Sequence, residues 1–177
     1  LSGDLGEWAE AFIIDRRAQS LSPKTVEFYT LTLKNFLQFC DTRAITQLDQ
    51  VTPEELRRYL LWLDTGHNEH GKAAYWRGVR AFIRWLWDET DQEARPPTDK
   101  VKSPREPKEL LDPVSLPDVQ ALLSTCRGNE YHDLRDRAIL LALIDTGLRA
   151  NELLSLDQDD LSPGGAVQVR RGKGAKG

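Results

Sequence analysis

Hydrophobic residues recur every three or four positions along most of the first 90 residues, which is the spacing of amphipathic helices. Leu5, Trp8 and Phe12 open this pattern and predict a first helix over about residues 4–18. Three further apolar stripes predict three more helices, the last of them at about 69–89. The pattern therefore predicts a small bundle of four helices joined by short turns.

The starts of the second and third helices carry local signals of their own. Ser22-Pro23 combines an N-cap hydroxyl with a proline, which the first turn of a helix tolerates. Thr52-Pro53-Glu54-Glu55 predicts a capping box, in which the Thr and Glu side chains each bind a backbone N–H of the other. Gly66 follows the third apolar stripe and is predicted to stop that helix.

The composition changes after the fourth helix. Residues 91–113 hold five of the nine prolines, with charged residues between them. Because proline fixes the backbone and lacks an N–H, this stretch predicts an extended linker between domains at 1–90 and 114–177. The second domain is predicted to contain a helix at about 116–126, a buried helix at 133–145, a helix that starts near Arg149 and ends by Leu156, a strand at 166–171 and a hairpin turn at 172–177.

The overall composition is that of a globular protein, with 40% hydrophobic and 29% charged residues among 177. The longest apolar run, residues 138–144, is too short to cross a bilayer, and no signal peptide is visible. We therefore expect a cytoplasmic protein without membrane contact. Cys40 and Cys126 lie far apart and predict reduced, partly buried thiols. No Cys or His cluster has ligand spacing, so we expect no metal and no other cofactor.

The net charge of −4 argues against indiscriminate attraction to nucleic acid, but the basic residues are unevenly spread. Residues 95–108 carry five basic residues against two acidic ones. Arg77, Arg80 and Arg84 recur at helical spacing on the fourth helix and form one basic stripe, which suits contact with DNA phosphates. A solvated helix face is the alternative interpretation. The candidate DNA-binding residues are Lys24, Thr25, Lys72, Arg77, Arg80 and Arg84.

The most informative stretch surrounds Arg149. Gly147 ends one predicted helix and Arg149 begins the next, with Glu152 three positions later on the same face. A guanidinium at a helix start is suited to binding a phosphate, because backbone N–H groups and a partial positive charge lie there as well. The alternative, from the residues alone, is a surface ion pair that contributes little to stability.

Residues 146–156 read T-G-L-R-A-N-E-L-L-S-L and are followed by Asp160-Leu161. This pattern resembles the first conserved box of the tyrosine recombinases, especially of the Xer-like and phage-integrase branch. The segment G-K-G-A-K at 172–176 is similar to that family's hairpin, and residues 22–29 more loosely resemble a helix start in its core-binding domain. The resemblance implies a mainly α protein. A four-helix, SAM-like core-binding bundle would precede a truncated, mixed α/β catalytic domain that holds helices and the start of a β-hairpin.

The resemblance also implies a chemistry. In this family a tyrosine attacks a DNA phosphate and forms a 3′-phosphotyrosyl link, without metal or ATP. Carried over to this chain, Arg149 would hold the non-bridging phosphate oxygens and Lys173 would protonate the leaving 5′-oxygen. Glu152 would orient Arg149 or neighbouring basic groups. The implied partner is double-stranded DNA, on which the full-length enzyme would self-associate.

The family's H-x-x-R box, its second His or Trp and its nucleophilic Tyr all follow the hairpin, and we identify no counterpart of them here. This chain alone is therefore predicted not to cleave DNA. Its four tyrosines are interpreted as core or surface aromatics. Two other functions stay open, namely a non-catalytic DNA-binding accessory protein on the same scaffold and a helical protein–protein adaptor.

Overall fold

A computed structural model of the chain describes residues 3–107 and 112–169. The chain divides into two units, Leu1–Glu109 and Leu110–Gly177. The described part of the first unit contains the four α-helices that the hydrophobic pattern predicts. They are α1 (Leu5–Ala18), α2 (Pro23–Thr42), α3 (Pro53–Leu63) and α4 (Glu69–Glu89). No helix within the described ranges is both long and apolar enough to span a membrane.

Each of these four helices begins beside a side chain that accepts a hydrogen bond from its first turn. Ser22 and Thr52 do so as predicted, at N–H···O distances of 3.2 and 3.3 Å. The reciprocal half of the predicted capping box at Thr52 is wrong. The Glu55 carboxylate does not return to the Thr52 backbone, because it receives hydrogen bonds from Arg43 and Arg58 instead.

The core of the first unit is rich in aromatic rings. Phe12 is fully buried and meets Tyr29, Phe82 and Trp85 edge-on, at centroid distances of 5.2, 5.6 and 5.3 Å. Trp76 and Trp85 of α4 therefore contribute to packing of the core. Side chains with almost no exposure include Leu5, Phe12, Phe36, Leu56, Tyr59, Leu63, Trp76, Val79, Phe82, Ile83 and Leu86.

Helices α2 and α4 approach each other closely at Gly78. A β-carbon placed there would lie 2.2 Å from the Thr32 Oγ1 atom and 2.7 Å from the Thr32 β-carbon. Thr32 is 2% exposed and its hydroxyl donates to the Tyr29 carbonyl at 3.0 Å, so this side chain has little room to move. Glycine at position 78 is therefore a packing requirement, although glycine lowers intrinsic helix propensity.

The sequence predicted an extended backbone for the whole proline-rich stretch, but part of this stretch is not extended. Pro97–Lys100 forms a short 3₁₀ helix that packs against α3 and α4. Thr98 within it is fully buried, and Val101 just beyond it joins the core of the first unit. The folded first unit thus includes residues that the sequence assigned to the linker.

Two hydrogen bonds from the bundle fix the chain just beyond this turn. The Arg57 guanidinium on α3 donates to the Lys100 carbonyl at 3.0 Å. Trp76 Nε1 on α4 donates to Ser103 Oγ at 3.2 Å. Both contacts join residues far apart in sequence, and such contacts leave no trace in a local pattern of prolines and charges.

The described part of the second unit holds three α-helices, α5 (Leu116–Thr125), α6 (Tyr131–Thr146) and α7 (Ala150–Leu154). Gly147 follows α6 in the left-handed conformation, with φ at 65°. Glycine adopts this conformation without strain, and its N–H donates to the Leu143 carbonyl at 3.0 Å. The predicted helix end at Gly147 is confirmed.

The prediction that the 133–145 helix is buried is wrong for the part of the chain that the structure describes. Helix α6 has no buried residue, and Leu134, Leu141 and Ile144 are 46%, 49% and 52% exposed. Residues 138–144 of α6 are apolar on all sides of the helix and so need cover on all sides. Among the described elements α6 packs against α5 and α7, which are too short to cover it.

The strand predicted at 166–171 is represented, up to residue 169, by one antiparallel bridge between Leu161 and Val167. The Ser162 N–H donates to the Ala166 carbonyl at 2.9 Å, and the intervening turn contains Gly165 at φ 82°. The hairpin turn predicted at 172–177 lies outside the described residues. The mixed α/β character of the second domain therefore stays a prediction.

Candidate functional site

Arg149 and Glu152 form two hydrogen bonds at the start of α7. The Glu152 carboxylate accepts the Arg149 backbone N–H at 2.9 Å through Oε2 and the Arg149 Nη1 at 3.0 Å through Oε1. The Glu152 side chain is 12% exposed, whereas the Arg149 side chain is 72% exposed. The carboxylate is thus enclosed, and the guanidinium projects into solvent from a fixed base.

The same contacts hold Glu152 in its charged form. The Arg149 backbone N–H, and then the Arg149 side chain, lower the pKa of the Glu152 carboxyl below its ordinary value. The structure gives the Arg149 guanidinium no second hydrogen bond within residues 112–169. Since a guanidinium carries five N–H donors, most of them are left to bind an anion.

Lys173, the other predicted catalytic cation, lies outside the described residues. The four tyrosines of the chain all lie within the described residues. Tyr59 is fully buried, its hydroxyl donates to Asn35 Oδ1 at 2.8 Å, and burial raises its pKa. Tyr29 and Tyr75 are part of the first unit's packing. Tyr131 is exposed at the start of α6.

Residues 132–135 read H-D-L-R and so match the spacing of an H-x-x-R box. They precede Arg149 in the chain, whereas the box that the family resemblance implies follows it. Arg135 is paired with its neighbour Asp136 at 2.7 Å. No group of His, Cys, Asp or Glu in the described ranges could hold a metal ion. Cys40 and Cys126 are buried free thiols, and burial raises the pKa of Cys40 to about 12.

Two of the predicted DNA-binding residues, Lys24 and Thr25, lie in the first turn of α2. Lys24 is exposed. Thr25 is half-buried, and its hydroxyl is 2.8 Å from Ser22 Oγ. Lys72, in the first turn of α4, is paired with Asp64 at 2.6 Å between Nζ and Oδ1. Among these three residues Lys24 alone presents an uncompensated charge.

The predicted basic stripe on α4 is uneven. Arg77 is exposed and has no ion pair within residues 3–107, but Arg84 is paired with Asp99 at 2.7 Å. Arg80 is half-buried, and its Nε atom is enclosed without a hydrogen-bond partner. The spacing correctly places these residues on one helix, but the charge that they offer is smaller than the sequence indicated.

The sequence candidates did not include Arg57, which lines a cleft of about 850 Å³ in the first unit. Its partners along that cleft are Lys72 and the cations of the segment that begins at Lys100. The dense basic composition of residues 95–108 was a signal for three of the five cations in this group. No signal in the sequence indicated Arg57, because only the folded chain brings α3 beside that segment.

Comparison with known proteins gives consistent matches. The family described as phage integrase, N-terminal SAM-like domain, matches residues 8–90. Tyrosine recombinase XerC of Myxococcus xanthus is 34% identical over 157 residues, which are 88% of this chain and 51% of the relative. Tyrosine recombinase XerC of Pelobacter propionicus is 31% identical over 163 residues, which are 89% of this chain and 53% of the relative.

The chain belongs to the tyrosine recombinase family. The SAM-like fold predicted for the first bundle is confirmed by the match to residues 8–90. Among solved structures, the integrase from mycobacterium phage Brujita shares the fold, with a TM-score of 0.50 and 23% identity over 87% of this chain and 50% of that one.

This tyrosine recombinase chain spans about half the length of the curated relatives that it matches. An aligned stretch that covers 88% of the chain is too long to lie in the first unit alone. Wherever it starts, it reaches Arg149 and Glu152. The similarity therefore extends into the second unit and includes the pair whose geometry is described above.

Proposed function

We propose that these residues belong to a site-specific DNA strand-exchange enzyme. In this proposal residues 1–90 bind duplex DNA and residues 114–177 supply the first part of the catalytic domain, with residues 91–113 between them. The observation that carries it is the exposed Arg149 guanidinium, held from behind by an enclosed Glu152, in a member of the tyrosine recombinase family.

The proposed reaction conserves a phosphodiester bond without metal or ATP. A tyrosine oxygen attacks a DNA phosphorus atom, the bond to the 5′-oxygen breaks, and a 3′-phosphotyrosyl link forms. Arg149 would bind two non-bridging oxygens and so stabilise the charge that grows on them. Lys173 would give a proton to the departing 5′-oxygen. Rejoining is the reverse attack by a 5′-hydroxyl of another strand.

Glu152 acts through Arg149 in this proposal. Its two hydrogen bonds fix both the backbone and the side chain of Arg149, which supports a positioning role. The lowered pKa of the Glu152 carboxyl keeps it charged through the neutral range, so it would keep its hydrogen bonds to Arg149 at neutral pH.

We expect no cleavage by the 177 residues alone. None of the four tyrosines suits the nucleophile, since Tyr59 is buried and protonated and the other three precede Arg149 in settings described above. The whole enzyme would self-associate on its DNA. A phosphotyrosyl adduct on this chain alone would contradict the assignment.

Sequence-tolerant binding of duplex DNA is the first expected result. Neutralising the α4 stripe with Arg77→Gln, Arg80→Gln and Arg84→Gln should weaken binding to most sequences alike, because phosphate contacts carry no sequence information. The plot of log affinity against log salt concentration should become shallower by about one for each phosphate contact that is lost. Fluorescence anisotropy with two unrelated duplexes measures both effects.

Because the three arginines of the stripe differ in exposure and pairing, single variants should differ in their effect on binding. The single variant Arg77→Gln should account for most of the change, because Arg84 is already paired and Arg80 is half-buried. If the triple variant bound as the original chain does, the stripe would be a solvated helix face.

Limited proteolysis should separate the two proposed domains. The first tryptic cut is expected after Arg105, which is exposed in irregular backbone and lies beyond Ser103, the residue that is hydrogen-bonded to Trp76. Arg95 precedes a proline, and the bond after Lys100 leads into buried Val101, so these two sites should be protected. Mass spectrometry of the early fragments identifies the cuts. Initial cleavage inside residues 22–90 would contradict the division.

A further inference from the structure

A basic cleft lies in the first unit between α3, the start of α4 and the segment 100–105. Its volume is about 850 Å³. Three elements contribute cations to it, and its floor is apolar. The basic residues are Arg57, Lys72, Lys100, Lys102 and Arg105, and the floor includes Leu60, Leu61, Val101 and Pro104. Two carboxylates, Asp64 and Glu69, also line the cleft.

The backbone that carries the cations of the basic cleft is held in place. The Lys100 carbonyl accepts from Arg57 at 3.0 Å, buried Val101 anchors the next position, and Ser103 accepts from Trp76 at 3.2 Å. Cations on a fixed backbone lose less conformational freedom when they bind than cations on a free tail.

Within residues 3–107 the basic cleft holds three cations without an ion pair, whereas the α4 stripe holds two, of which Arg80 is half-buried. Lys72 is paired with Asp64 at 2.6 Å, and Arg57 lies 3.7 Å from Glu54. Lys100, Lys102 and Arg105 are exposed and have no ion pair within residues 3–107. Their charge is therefore concentrated at one place on a protein whose net charge is −4.

We propose that the basic cleft is the main phosphate-binding surface of the first unit, ahead of the α4 stripe. The inference rests on the proposed binding of duplex DNA and specifies where it occurs. One strand of the duplex would follow the segment 100–105, with phosphates beside its cations. Sugar edges would lie against the apolar floor, where Leu61 is 66% exposed.

The basic cleft belongs to the unit that matches the phage-integrase N-terminal domain, and the proposed binding of duplex DNA by this unit favours a nucleic-acid strand over an acidic protein segment. Lys100, Lys102 and Arg105 are exposed and lie two and three positions apart, so they can meet separate phosphates of one strand.

The test compares two double variants of the 177-residue chain that each remove two positive charges. Lys102→Gln with Arg105→Gln alters the basic cleft. Arg17→Gln with Lys34→Gln alters two exposed cations on α1 and α2, away from it. Anisotropy with a fluorescent 20-base-pair duplex is measured over a range of salt concentrations. The cleft variant should flatten the salt dependence by about two, and the matched control should leave it unchanged.

Each other outcome overturns the inference in a distinguishable way. If the original chain binds the duplex and the cleft variant keeps its salt dependence, the cleft proposal fails and DNA binding stands. If the original chain binds no duplex even at low salt, both proposals fail. Fluorescent poly-L-glutamate is the probe for an acidic partner. Loss of its binding in the cleft variant, with duplex binding intact, would assign the cleft to protein.

Discussion

Replacing Arg149 by lysine should lower the rate of DNA cleavage by roughly a hundred- to a thousandfold, the usual scale for losing one preorganised transition-state donor. A guanidinium can bind two phosphate oxygens in one plane, which the point charge of lysine cannot do. The Glu152 carboxylate would still accept the backbone N–H at position 149, so the local fold should survive.

A suitable protein joins these 177 residues to the part of the Myxococcus xanthus relative that lies outside the aligned 51%. Covalent protein–DNA complex is measured over time on a nicked duplex selected for binding to the chimera. Arg127→Lys, an exposed change in the same unit, is the matched control. Duplex affinity should hardly change in either variant. Cleavage by Arg149→Lys at the control rate would remove Arg149 from its proposed role.

Gly78→Ala should lower the free energy of unfolding by about 1–3 kcal/mol, the usual cost of inserting a methyl group into a packed core. Glycine-to-alanine changes in exposed helices normally stabilise, by up to about 1 kcal/mol. The sign reverses here because the new β-carbon would lie 2.2 Å from Thr32 Oγ1, on a side chain that is itself buried.

Urea unfolding followed by circular dichroism gives the free-energy difference for Gly78→Ala. Gly66→Ala is the control, since nothing lies within 4 Å of a β-carbon at position 66. That control should stay within about 0.5 kcal/mol of the original chain. A Gly78→Ala protein as stable as the original would mean that α2 and α4 separate at little cost.

The helices of the first unit could be predicted because their signals are local. Ser22 and Thr52 each accept a hydrogen bond three residues on, and such a contact can be read from the sequence. The capping box predicted at Thr52 was nevertheless wrong. Among the four α-helices of the first unit both halves of a capping box lie at Asp4 and Glu7, while Glu55 binds Arg43, twelve positions away. Competition between partners depends on the fold and is invisible in a local pattern.

The candidate site follows the same rule. The spacing of Arg149 and Glu152 predicted that they would meet, because residues three apart share a helix face. The hydrogen bond from the Arg149 backbone N–H to Glu152 was not predicted, since it requires Arg149 to be the N-cap of α7 and not its first helical residue. The pairing of Arg84 with Asp99 likewise needed the 3₁₀ helix to fold back on α4.

Because the apolar face of α6 is exposed, polar substitutions in the two units should have different effects. A polar residue in place of fully buried Phe82 in the first unit should strongly destabilise the fold. Leu141 on α6 is 49% exposed among the described residues, so a polar residue there should destabilise the fold much less. It makes an exposed apolar surface more polar and so lowers the tendency of the protein to aggregate. A higher yield of soluble protein after a change on α6 is therefore no measure of the free energy of unfolding.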